Sequence, residues 1–227
     1  MMPGPSMLLA VETSGMQGSV AVSNGSQVLL DRSLEAGQRN AQSLVSEVDR
    51  VLKELQLAPR DIKTVAVSIG PGSFTGLRVG LTFAKTFAWL NKASLVAVDT
   101  LQAIAMRAPA NIPVVTALVD AQRGELFAGS YALDARSQSR GLLAPVHVST
   151  QEMLSTEFPL TGPGLLKLRP EIAAGHQLLE ESLWSPNARE VAILGWQMAE
   201  SGQLSIPETL EPVYIRLSYA EEKRVAN

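Results

Sequence analysis

Three clusters of residues in this chain have the types and spacing to do chemistry. Glu12-Thr13-Ser14 places a carboxylate and two hydroxyls directly after the apolar run MLLAV, and Asp120 stands in the matching place after VVTALV. Carboxylates at strand ends can hold a Mg²⁺-bound nucleotide or polarise water. They also close turns by accepting from backbone amides, and residue types alone leave both roles open. The third cluster is GPGSFTG, Gly70 to Gly76, between an apolar run and a helical pattern. Amides at such a helix start can bind an anion. The loop lacks the Lys-Ser/Thr pair of a P-loop, since Leu77-Arg78 follow its last glycine. Ser73 lacks the G-x-S-x-G frame of a nucleophile elbow. A tight turn carrying a strand into a helix is the simpler reading.

The sequence has no cysteine, and its two histidines, His147 and His176, are far apart. Thiol nucleophiles, disulfides and the usual transition-metal ligand sets are therefore excluded.

Positioning these groups requires alternating strands and helices. Met7–Thr13, SVAVS and QVLLDRSL read as strands, the last two joined at Asn24-Gly25. Leu44, Val45, Val48, Val51, Leu52 and Leu55 are spaced as one face of a helix over Asn40 to Leu57. KTVAVSIG, the glycine loop, an apolar helix to about Leu90, the strand SLVAVD and the short helix TLQAIAMRA follow. VVTALVDAQRGELFAGSYAL then repeats the opening logic of strand, acid, turn and alternating strand. This suggests two related α/β halves with Glu12 and Asp120 at a shared cleft. The expected organisation is a leader over 1–6, a first half over 7–108, a second over 109–217 and a polar tail over 218–227. Asn187 to Glu200 is an amphipathic helix, and PVYIRL a closing strand.

The helix after the glycine loop has apolar residues on two faces. Gly76, Gly80, Ala84 and Ala88 recur every four residues as a narrow stripe flanked by Leu77 and Leu81, while Val79, Phe83 and Phe87 line another face. Small side chains let a neighbouring helix approach toward the short end of the usual range of about 8–10 Å. Either both faces lie inside one chain or one meets a partner. The adjacent helix, with Leu44 and Val48, could complete a bundle, so the stripe is expected at an interface.

Hydrophobic residues make up 46% and charged residues 18%, which predicts a sizeable core. A net charge of −3 argues against gripping nucleic acid by bulk charge. MMPGPSM has neither the basic nor the apolar part of a secretory signal, and the longest apolar run is too short to span a bilayer. A cytoplasmic location without membrane attachment is expected.

GPGSFTGLRVGL followed by AKTFAW, with DAQRGELF and EPVYIR, resembles the bacterial TsaB (YeaZ) family. The resemblance spans nearly all of the chain from Met7 to about Leu217. It implies an actin/Hsp70-like ATPase (ASKHA) fold of two ribonuclease-H-like halves. It also implies a non-catalytic partner of TsaD, the related enzyme that adds a threonylcarbamoyl group to the adenosine beside the anticodon of ANN-decoding tRNAs. The implied partners are TsaD as a heterodimer, TsaE, and a second copy in isolation, paired through a bundle containing the glycine-loop helix. tRNA is reached only through the complex. No cofactor is assigned to this chain, and ATP or ADP is left to the assembled complex. The catalytic relatives carry HLEGH, with both histidines binding metal, where this chain has Thr100-Leu101-Gln102-Ala103-Ile104; neither Thr100 nor Ile104 can replace an imidazole. Against the family's usual residues, Glu12 stands for Asp, Asn40-Ala41-Gln42 for HSE and Gln122 for Arg. The alternative class is an ATP-binding or ATP-hydrolysing enzyme using Glu12 and Asp120, with a glycoprotease-like peptidase more remote.

Overall fold

The structure, a computed structural model, describes residues 7–35, 40–133, 139–142, 147–150, 157–168 and 170–213. Strands β1 (Met7–Glu12), β2 (Ser19–Asn24), β3 (Gln27–Ser33), β4 (Ile62–Ser68) and β5 (Ser94–Val98) form one sheet in the order β3-β2-β1-β4-β5. β1, β2 and β3 are an antiparallel meander, whereas β4 and β5 run parallel to β1. Parallel neighbours need crossovers, and helices α1 (Asn40–Glu54) and α2 (Phe74–Asn91) supply them.

The second sheet repeats this start. β6 (Val114–Gln122) pairs antiparallel with β7 (Glu125–Leu133) on one side and parallel with the short β10 (Leu160–Thr161) on the other. β8 (Ser139–Leu142) and β9 (His147–Thr150) both pair with β7. Helix α3 (Thr100–Ala105) lies between the sheets, with Leu101, Ile104 and Ala105 in one apolar cluster with Val115, Ala117 and Tyr131. These are the two ribonuclease-H-like halves of an actin/Hsp70-like fold.

The boundary expected at residue 109 does not hold in space. α5 (Ala188–Glu200), late in the chain, returns to the first sheet, where Ala188, Val191, Ala192 and Leu194 pack on Leu8, Ala10, Ala21 and Ala66. Gly195 meets Ala66 where a side chain would collide. Alanines at three successive strand positions form a shallow floor that lets α5 lie close. The segment after α5 then follows the β5 edge: Ser205 N donates to Leu95 O (2.8 Å), and Ala97 N to Ser205 Oγ (3.1 Å). Farther on, Val213 N donates to Ile69 O. Such bonds cover a sheet edge that would otherwise expose unpaired backbone. The expected leader, the polar tail and Tyr214–Leu217 of the closing strand lie outside the described residues.

The opposite face of the first sheet carries α1 and α2. Leu9, Val11, Val20, Val22, Val65 and Val67 meet Leu44, Val48, Val51, Leu52, Leu81, Ala84 and Ala88. α1 is also tied to β3 by Arg32, which donates to Glu54 (2.7 Å) and reaches Glu47 (3.5 Å). No helix among the described residues is long and apolar enough to cross a membrane.

Candidate functional site

Helix α2 starts five residues after β4 ends, so its root is drawn directly over the turn that follows β1. The contact is made of backbone. Ser73 N donates to Ser14 O (2.8 Å), and Thr13 Oγ1 donates to Gly76 O (2.8 Å). A methyl at Gly76 would fall on the carbonyl oxygen of Thr13, and one at Gly80 on Thr13 Oγ1. At Gly72 it would come within 2.7 Å of Ser14 Cβ. The glycines are thus required by the chain's own sheet, since only hydrogen fits between helix and turn.

This corrects the expected interface. Gly76, Leu77, Gly80, Leu81, Ala84 and Ala88 are all buried within the subunit, and Leu44 and Val48 on α1 are 2% and 4% exposed. A stripe of small residues permits close approach by any backbone, and here β1 and its turn take the place expected for a partner helix. The surface left open is the opposite face of α2. Phe74, Thr75, Arg78, Val79, Thr82, Phe83 and Thr86, with Leu44 and Val45 of α1, line a groove of about 640 Å³. Val45 is 63% exposed, and the Arg78 guanidinium sits over the Phe74 ring at 3.8 Å. The stripe continues to the helix end, where Trp89 is 77% exposed and Leu90 65%. Val79 and Phe83 were assigned to a second apolar face in the sequence, but Phe74, Val45 and Trp89 were missed. Their signal was the helical step: 75, 79, 82, 86 and 89 run down one side.

The glycine loop is not an open anion cradle. Ser73 caps α2, its Oγ accepting from Gly76 N (3.2 Å), and Leu77 N donates to Ser73 O. The loop's bonds to Ser14 and Thr13 fasten the remaining contacts, so the turn reading holds.

The acids at the strand ends also close on themselves. Glu12 is fully buried, and its Oε1 accepts from both Ser14 N and Ser14 Oγ at 2.5 Å. Burial pushes its carboxyl above the usual range, and the hydrogen bonds from Ser14, Ser68 and nearby amides offset only part of this. Asp120 accepts from Gln122 N (2.7 Å) and Gln122 Nε2 (3.3 Å) in its own tight turn. No group of three or more metal-ligating side chains occurs among the described residues.

A third acid, Asp99, was not singled out in the sequence. It caps α3, its Oδ1 accepting from Gln102 N (2.8 Å) and from Tyr131 OH of the second half (2.9 Å). Burial raises the Asp99 carboxyl, and raises the Tyr131 hydroxyl together with the facing Asp99 charge. Next to it, Thr100 Oγ1 accepts from Gly70 N (3.1 Å), and Ile104 is fully buried in the apolar cluster between the halves. The Thr100 and Ile104 side chains are therefore enclosed by the chain itself.

Comparison with known proteins agrees with this frame. The family model of TsaD, tRNA N6-adenosine threonylcarbamoyltransferase, matches residues 34–177. The tRNA threonylcarbamoyladenosine biosynthesis protein TsaB of Escherichia coli (strain K12) is 29% identical, over 95% of this chain and 97% of its own. TsaB of Bacillus subtilis (strain 168) is 27% identical, over 95% and 96%. The chain belongs to the TsaB (YeaZ) family. The solved structure of YeaZ from Pseudomonas aeruginosa superposes on this TsaB-family chain with a TM-score of 0.79 at 26% identity, covering 92% of this chain and 99% of that one.

Proposed function

We propose that this TsaB-family chain serves tRNA threonylcarbamoyladenosine biosynthesis as a non-catalytic subunit, holding TsaD through the outer face of α1 and α2. The observation that carries the reading is the groove between Val45 and Phe83, which runs on to Trp89. A large exposed aromatic at the end of a continuous apolar stripe is unusual on a surface with no binding role. α2 contains Arg78 and Lys85 but no acidic residue. A partner helix with an apolar stripe flanked by carboxylates would therefore fit better than a helix with the same cations.

A second copy of this chain would use the same face, so homodimer and TsaD complex are alternatives and not layers of one assembly. TsaE would join the TsaD-bound form, and tRNA would be reached through TsaD. Support for the absence of bond chemistry comes from Thr100 and Ile104, enclosed where the metal-binding relatives carry histidines.

Titration calorimetry with TsaD from the same organism tests this. A one-to-one complex is expected for the wild-type chain, with binding lost in Val79→Glu while the melting temperature holds. Undiminished binding by Val79→Glu would place the contact elsewhere. ATP hydrolysis above background by the purified chain alone would favour the enzyme reading.

A further inference from the structure

We propose that Glu12 is held in this fold as a neutral carboxylic acid whose Oε2–H donates to Ser68 Oγ, closing the strand-end cleft with the chain's own hydrogen bonds in place of a cation. The proposal concerns the cleft and is independent of how TsaD docks.

Two buried oxygens carry it. Glu12 Oε2 and Ser68 Oγ each lack a hydrogen-bond partner, although both residues are fully buried. They are neighbours: β1 and β4 are parallel, with Val11 beside Val67, so Glu12 and Ser68 follow one step along each strand. Ser68 is also close enough to act on the ionisation of Glu12. Buried polar atoms without partners are rare because desolvation is not repaid. One proton on Oε2 would satisfy both atoms at once, with Ser68 Oγ as acceptor.

The ionised alternative needs a counter-charge that the site does not supply. The groups that influence Glu12 are the hydroxyls of Ser14 and Ser68 and the amides of Ser14 and Gly15, none of them cationic. A carboxylate enclosed without a cation is strongly disfavoured. Its Oε1 is already occupied by both Ser14 donors, and the Ser14 and Thr13 backbone is pressed against Gly72 and Gly76. A hydrated cation would have to separate α2 from the β1 turn to enter. The neutral acid therefore acts as a positioning residue: it fastens β4 to the β1 turn on which the root of α2 rests.

Isotope-edited infrared spectroscopy of the full chain, labelled at glutamate carboxyls, reads this state directly. The wild type minus Glu12→Gln difference should show a protonated-acid C=O band at neutral and mildly alkaline pH, unmoved by millimolar MgCl₂. Ser68→Ala should shift that band upward by removing its acceptor, a change that loss of packing alone would not cause. Glu12→Gln, whose amide can donate to Ser68 while its oxygen accepts from Ser14, should keep the wild-type melting temperature. A carboxylate signature for Glu12 at neutral pH, its appearance on adding MgCl₂, or a band indifferent to Ser68→Ala would overturn the proposal.

Discussion

Adding one methyl group at Gly76 or at Gly80 separates two explanations of the small-residue stripe on α2. In Gly76→Ala the new Cβ lands on the Thr13 carbonyl oxygen, a backbone atom that cannot rotate away. Overpacking of this kind costs about 1–3 kcal/mol. The displaced Thr13–Gly76 hydrogen bond adds about 1 kcal/mol, and the higher helix propensity of alanine returns about 1 kcal/mol. The net loss is roughly 1–3 kcal/mol, which for a chain of this size lowers Tm on the order of 5 °C. In Gly80→Ala the obstacle is Thr13 Oγ1, a side-chain atom. Thr13→Ala removes that atom and should rescue Gly80→Ala while leaving Gly76→Ala unrelieved, a coupling of about 1 kcal/mol for the first pair. Thermal melts followed by circular dichroism suffice, with Thr82→Ala on the exposed face as the neutral control. A Gly76→Ala chain melting at or above wild type would mean that propensity wins, that the helix does not touch the turn, and that the stripe is free for a partner after all.

Three further outcomes follow from the same geometry. Ala84→Glu, which buries a carboxylate where Ala84 is fully enclosed, should abolish cooperative folding, whereas Phe83→Glu beside it should fold and lose TsaD binding by at least about 2 kcal/mol, or ~30-fold; melts and calorimetry distinguish the two. Tyr131→Phe should lower stability by about 1 kcal/mol in denaturant titration, since it removes one hydrogen bond to Asp99 between the halves. Asp99→Asn keeps a good helix cap and an acceptor for Tyr131. The raised Asp99 carboxyl contributes stability that is fully present below its unfolded pKa and lost as pH rises through the folded value. The wild type should therefore lose its advantage over Asp99→Asn as pH rises out of the acid range, and a difference that grows with pH would contradict this.

Much of the frame was legible because strands and helices announce themselves by period. The runs from Met7, Lys63 and Val114 are apolar without interruption, as strands covered on both faces must be, and the repeat of strand, acid and turn anticipated the second half. What the sequence could not reveal was direction. Gly76, Gly80, Ala84 and Ala88 state that something comes close, yet a β-turn and a partner helix demand the same absence of side chain. The short loop before Phe74 favours the turn, because five residues leave α2 no room to swing away from β1. α5 escaped the expected boundary for a related reason: its apolar face specifies a flat, shallow surface, and the alanines Ala10, Ala21 and Ala66 that provide one are more than a hundred residues away. Asp99 looked like the end of a strand, and its bond to Tyr131 depends on pairing in the other half.

The absence of cysteine permits a direct test of the docking face. A spin label attached through Thr82→Cys, in the middle of the groove, should become immobilised when TsaD is added, while a label at the exposed Leu166→Cys on the second half stays mobile. Unchanged motion at residue 82 in a complex shown by sedimentation to have formed would contradict the assignment of α2's outer face to TsaD.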